Sequence, residues 1–199
     1  MQPPSTSQLY KLVSHPGDPA FRLQSTSTDL ILRLPTITEI SILVDILENK
    51  ENSKFDKSIS EATSEELETI AWRWTTISRP LTHLNFLIWH HKNPIGIAGL
   101  GWIGACDAND GSRAGAAGVL IQPFARGKGH AYEALRMVVD YGLRELGLME
   151  IRIASHSGNV PMKMLMERKL GLRPEVREDG VDQFGNDLLW IVRKETYIA

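Results

Sequence analysis

The chain has 199 residues, 42% hydrophobic and 23% charged, a composition suited to one globular domain of moderate size with a substantial core. Its formal net charge of −2 gives no global electrostatic case for a nucleic-acid partner, and no run is long enough to span a membrane. The single cysteine, Cys106, excludes an intrachain disulfide, and no basic stretch followed by an apolar one opens the chain, so a cytoplasmic protein without a signal peptide is expected.

Residues 1–28 are rich in Pro, Ser, Thr and Gln and read as an irregular N-terminal arm, with Tyr10, Leu12, Val13 and Phe21 as the side chains able to dock it. Residues 29–199 read as one domain. Residues 30–34 make a first strand, ended by Pro35. Thr36 and Glu39 form a capping box, and Ile37, Ile40, Val44 and Leu47 follow at helical spacing. The polar run 48–62 reads as a surface loop. Thr63 and Glu66 cap a second helix with Leu67, Ile70, Ala71, Trp74 and Ile77 on its apolar face, stopping before Pro80. Trp72 and Trp74 cannot share one helix face, so at most one is deep in the core.

Residues 85–89 and 95–102 read as a strand hairpin, and 107–111 as a turn. The run 116–122 is a short apolar strand bounded by Pro123. Apolar or small residues at 131, 134, 135, 138, 139, 142, 143 and 146 mark a long helix. Residues 150–154 alternate as a further strand. Met162, Leu165, Met166 and Leu170 mark a last helix with Gly171 as its C-cap, and 173–177 with 188–192 close the chain as a hairpin.

Between the strand at 116–122 and its helix lies the basic turn Arg126-Gly127-Lys128-Gly129-His130-Ala131. A glycine turn that opens a helix is an anion site, because free N–H groups and the positive end of the helix dipole meet there. The turn resembles the Arg/Gln-x-x-Gly-x-Gly/Ala signature of the GNAT superfamily of N-acetyltransferases, and the element order over roughly 29 to 194 is similar to that fold. The resemblance implies a mixed α/β (α+β) fold: a central, mostly antiparallel mixed sheet flanked by about four helices. It implies acetyl-CoA as co-substrate. Its pyrophosphate would be held by Arg126, Gly127, Lys128, Gly129, His130 and Ala131, and its pantetheine arm by the backbone of Val119, Leu120 and Ile121 and by Asn159. It further implies direct attack by an amine, either a small molecule or a protein N-terminus, in a monomer or homodimer. The segment 164–172 looks most like the branch that modifies ribosomal protein N-termini, antibiotics and small amines.

The chain departs from the family in its acid–base residues. A Glu on the fourth strand is common there; this strand offers Ala116, Ala117 and Gly118. A Tyr seven residues after the Asn is common; here that position is Met166, and a Ser found earlier on the helix is Met162. The candidate substitutes are His156, Ser157, Asp107 and, last, Tyr132. A non-catalytic acyl-CoA-binding module and a transferase of longer acyl chains remain as alternatives. Gly99-Leu-Gly101-Trp-Ile-Gly104 spells the dinucleotide fingerprint but is followed by a turn instead of a helix, so it reads as a bulge or a close approach within a strand. The six histidines show no metal-ligand spacing, and no metal is expected.

Overall fold

The computed structural model describes residues 9–106, 111–176 and 180–197. Nine strands among them form one sheet in the order β1-β2-β3-β4-β5-β6-β7-β9-β8. These are β1 (Tyr10–Val13), β2 (Arg22–Ser25), β3 (Leu30–Arg33), β4 (Leu84–His90), β5 (Asn93–Ala105), β6 (Arg113–Ile121), β7 (Glu150–Ser155), β8 (Glu175–Val176) and β9 (Leu188–Arg193). Every neighbouring pair is antiparallel except β6–β7. The helices are α1 (Ile40–Glu48), α2 (Lys50–Ser53), α3 (Lys57–Ser60), α4 (Ser64–Trp74), α5 (His130–Asp140) and α6 (Val160–Met164). Both α5 and α6 run on into five-residue π-helical turns, Tyr141–Glu145 and Leu165–Lys169.

Alternation along β4 feeds two apolar layers. Leu84, Phe86 and Ile88 join the layer that holds Leu135 and Val138 of α5. Leu87 turns the other way, to Leu43, Leu47, Leu67 and Ala71 of α1 and α4. Both expected capping boxes form. Thr36 N donates to Glu39 Oε2 at 2.9 Å and Thr63 N to Glu66 Oε2 at 2.7 Å. Arg33 grips Glu39 through both terminal nitrogens. Trp74, the last residue of α4, packs partly buried against the layer of Leu43, Leu67 and Leu87, while Trp72 is 54% exposed.

Two stretches differ from expectation. Residues 10–25, expected within an irregular arm, form the β1–β2 hairpin at the sheet edge. Tyr10 and Phe21 do dock it, against Tyr141 and Phe86, with ring centroids 5.7–6.3 Å apart. The strands have four residues each, too short for alternation to declare itself in a Ser/Thr-rich context. The 48–62 run, expected as a loop, carries α2 and α3, capped by the side chains of Asn49 and Asp56. Such short helices have no apolar periodicity to read. The Gly99–Gly104 fingerprint lies inside β5. The register slips at Gly101, and a Cβ on Gly99 would sit 2.6 Å from Asn85 Cα. Bulge and close approach are thus both present.

Candidate active site

Strand β6 stays paired with β5 as far as Ile121. Its pairing with β7 stops early: Ala114, Gly115 and Ala116 face Glu150, Ile151 and Arg152, and no later residue is paired. The two parallel strands therefore part beyond Ala116. Every second peptide group of 117–121 turns its N–H and C=O away from β5 and into the split. The side chains of Val119 and Leu120 are half-buried and Ile121 is buried, in the two apolar layers. Of the backbone of these three residues, the alternate peptide groups not bonded to β5 are the ones that face the split.

The mouth of the split on the β6 side is the basic turn. A 3-10 turn, Pro123–Ala125, leads into Gly127 at φ +76° and Gly129 at φ +85°. Gly129 is the N-cap of α5, in the left-handed region that only glycine enters freely. A Cβ at either glycine would meet nothing within 4 Å. No side chain caps α5, so its first N–H groups have neither an intrahelical nor a capping partner. Lys128, Gly129, Tyr132 and Arg136 line, with Ser27, a cleft of about 210 Å³ beside the turn. The one acid in the first turn, Glu133, is held aside: its Oε1 accepts from Ser27 Oγ at 3.1 Å, from Thr28 Oγ1 at 2.8 Å and from Ser25 Oγ. His130 is buried against His90, and burial pushes its imidazole below the usual range, helped by His90 and Lys128. Ala131 packs half-buried against the core.

Arg126 lies at the turn, but its guanidinium is directed away from the helix end. Nε donates to Ile121 O at 2.9 Å, and a terminal nitrogen donates to Glu51 O at 3.1 Å and to Asn52 Oδ1 at 2.6 Å. Gln122 Oε1 accepts from Asn52 Nδ2 at 3.0 Å.

On the β7 side, His156, Ser157 and Asn159 follow the strand. Gly158 N donates to His156 Nδ1 at 2.9 Å, so the neutral ring carries its proton on Nε2. The ring of Phe55 stacks on that of His156, centroids 6.0 Å apart and 15° between planes. Ser157 N donates to Asp187 Oδ1 at 2.6 Å, and the Ser157 hydroxyl holds the Asp187 carboxyl below the usual range. Asn159 caps α6, its Oδ1 accepting from Met162 N at 3.3 Å. Met166 is fully buried, so a side chain at that position faces the core and cannot serve as an acid. Tyr132 stands in the cleft beside Lys128, under the Arg136 guanidinium, 5.3 Å away. Asp107 lies outside the described residues.

Beyond the bulge, Trp102 shares a sheet face with Ala116, its cross-strand partner, and with Gly118 and Leu120. Trp102 is 42% exposed, and a Cβ on the exposed Gly118 would meet nothing within 4 Å. The floor beside the split is thus small and uncharged where the family resemblance expects a carboxylate. Phe55, Asn52 and Asp187 escaped the sequence analysis. The polar run around Asn49 and Asn52 was the visible signal, without a feature to say what it faces. Among the described residues no group of three or more His, Cys, Asp or Glu is placed to hold a metal ion, and no helix is long and apolar enough to cross a membrane.

A split between parallel strands, with an uncapped glycine turn at its mouth, can take an elongated ligand that carries an anionic group at the helix end. The family model for the acetyltransferase (GNAT) domain matches residues 29–173, and the chain belongs to that family. No curated protein sequence matches it. Among solved structures it is similar to Mycobacterium smegmatis RimJ in complex with CoA-disulfide (18% identity, 87% of this chain and 86% of that one, TM-score 0.69). RimL, a ribosomal L7/L12 alpha-N-protein acetyltransferase in complex with coenzyme A, superposes at TM-score 0.69 with 13% identity over 84% of this chain and 95% of that one. Spermidine N-acetyltransferase from Vibrio cholerae, in complex with CoA and spermine, gives 0.68 with 20% identity over 85% and 98%. At these identities the likeness is one of fold.

Proposed function

We propose that this protein transfers an acetyl group from acetyl-CoA to an amine, by direct attack and without an acyl-enzyme. The observation that carries the proposal is the split beyond Ala116 together with the uncapped start of α5. Bound acetyl-CoA supplies the activated thioester. The N–H groups of the turn and of the first residues of α5 hold its pyrophosphate, with Lys128 adding charge. The unpaired peptide groups of 117–121 hold the pantetheine arm, and an N–H among them that is aimed at the developing oxyanion contributes about 3–4 kcal/mol. Asn159, at the opposite bank, faces the same arm.

No carboxylate stands on β6 and Met166 is buried, so positioning supplies most of the rate. His156, fixed as an Nε2–H tautomer, offers a proton donor instead of a base. The acceptor enters over the uncharged floor of Ala116, Gly118 and Trp102. Structural neighbours act on a ribosomal protein and on spermidine, so the acceptor panel spans protein N-terminal peptides and polyamines. Coenzyme A release from acetyl-CoA is measured with that panel, and again with longer acyl-CoA donors. Turnover dependent on an amine supports the proposal. Tight coenzyme A binding with no turnover on any amine marks a non-catalytic binding module, and preference for a longer chain overturns the acetyl assignment.

A further inference from the structure

The segment from Asn49 to Lys57 touches both banks of the split. On the β6 bank, Asn52 accepts from Arg126 at 2.6 Å and donates to Gln122 at 3.0 Å, while Glu51 O accepts from Arg126 at 3.1 Å. Asn49 Nδ2 reaches Gln122 Oε1 at 3.4 Å. Three residues after Asn52, Phe55 lies against the β7 bank, stacked on His156 and within 3.3 Å of where a Cβ on Gly158 would be. Lys57 N then donates to Phe184 O of the β8–β9 connection at 3.1 Å. The end of α2 and the turn that follows it thus bring this one segment into contact with residues that follow both β6 and β7.

The contacts on the β6 bank are specific to Arg126. A planar guanidinium presents its donors in a fixed fork to several fixed acceptors at once, a geometry that a lysine ammonium does not have. Here those acceptors are two carbonyls and one amide oxygen, on the strand end and on α2. The guanidinium is thus engaged by acceptors of the protein itself.

We propose that residues 49–57 are a strap across the mouth of the split, and that Arg126 is a positioning residue which holds the strap down over the pantetheine arm and is not a ligand of the pyrophosphate. The proposal rests on the reading that coenzyme A occupies the split. Turn N–H groups read the phosphates; the strap, fixed by Arg126 at one bank and by Phe55 at the other, confines the arm.

The test compares two ligands by calorimetry: coenzyme A, and its pantetheine-free fragment adenosine 3′-phosphate 5′-diphosphate. Arg126→Ala, Asn52→Ala and Phe55→Ala are each expected to raise the coenzyme A Kd about tenfold, as for a lost hydrogen bond to a charged group or a lost stacking contact, while the fragment's Kd moves less than about twofold. The double variant Arg126→Ala/Asn52→Ala is expected to bind like either single one, because both remove the same link. Phe55→Tyr keeps the ring and is expected to bind like the wild type. If Arg126→Ala weakens the fragment as much as coenzyme A, Arg126 is a phosphate ligand and the strap assignment is wrong. Unchanged coenzyme A affinity in both Asn52→Ala and Phe55→Ala overturns it equally. Failure of the wild-type protein to bind coenzyme A at all would instead overturn the reading on which the strap rests.

Discussion

The imidazole rings of His90 and His130 lie 4.7 Å apart, tilted by 44°, so the last residue of β4 packs on the first residue of α5. His91 packs on His90 in turn, at 4.2 Å, and its Nδ1 is 3.5 Å from Asp29 Oδ2. Burial, the neighbouring His90 and Lys128 all lower the His130 pKa, and Glu133 opposes them. A positive charge at a helix N-terminus is also disfavoured by the dipole.

The unfolded chain therefore binds a proton at His130 near its ordinary pKa of about 6.5, at a pH where the folded protein does not. Stability that is present above that pH is lost as pH falls toward the folded value. The melting temperature is expected to drop as pH falls through about 6.5, the ordinary imidazole value, and His130→Gln to flatten that slope. An unchanged slope in the variant would assign the acid sensitivity to other groups.

Gly129→Trp places a bulky side chain where a Cβ now meets open space, at φ +85°. The backbone strain of a non-glycine residue there costs roughly 1–2 kcal/mol, a visible but survivable loss in a thermal melt. Coenzyme A binding is expected to disappear by calorimetry while the fold persists. Retained binding would remove the turn from the cofactor site.

Gly118→Glu puts a carboxylate on the open floor beside the split, with no backbone strain, since Gly118 is not among the positive-φ glycines. If amine deprotonation limits the reaction, kcat/KM below the acceptor's own pKa is expected to rise by about tenfold to about a hundredfold. The wild-type rate is expected to follow acceptor ionisation. His156→Ala and Asp107→Ala are each expected to lower turnover by less than about a hundredfold, the lower end of what one general acid or base supplies. A thousandfold loss in either, with coenzyme A affinity intact, would identify a dedicated catalytic group.

Met166→Tyr restores the family's usual residue in sequence but not in space. Met166 is fully buried, so the larger ring overpacks the core at a cost of about 1–3 kcal/mol. The expected result is a lower melting temperature and no gain in turnover. A faster enzyme would mean that the helix carrying Met166 turns that position toward the split.

The parts legible in the sequence were those with a strong local signal. The glycine turn was readable because Gly127 and Gly129 sit between an apolar strand and a helical period, and both take positive φ. Thr36, Glu39, Thr63 and Glu66 announced their helices by capping chemistry. The β1–β2 hairpin was not readable, since its contacts with Tyr141 and Phe86 are made more than sixty residues away in the chain. The direction of the Arg126 side chain was equally hidden. Its residue type suits a phosphate, and only the placement of Glu51 and Asn52, over seventy positions earlier, turns it aside. Met166 matched a motif by counting, while a π-helical turn at Leu165–Lys169 sets which way the side chain faces.

The early end of β6–β7 pairing also leaves a kinetic signature. Between Ala117 and Ile121 the amides that face β5 are locked in a ladder, whereas their alternate neighbours face the split without a strand partner. In hydrogen exchange this stretch of a central strand should therefore show two interleaved populations, slow and fast. Coenzyme A should slow the fast set selectively. The strand would then report occupancy of its own ligand site, residue by residue, without any probe attached.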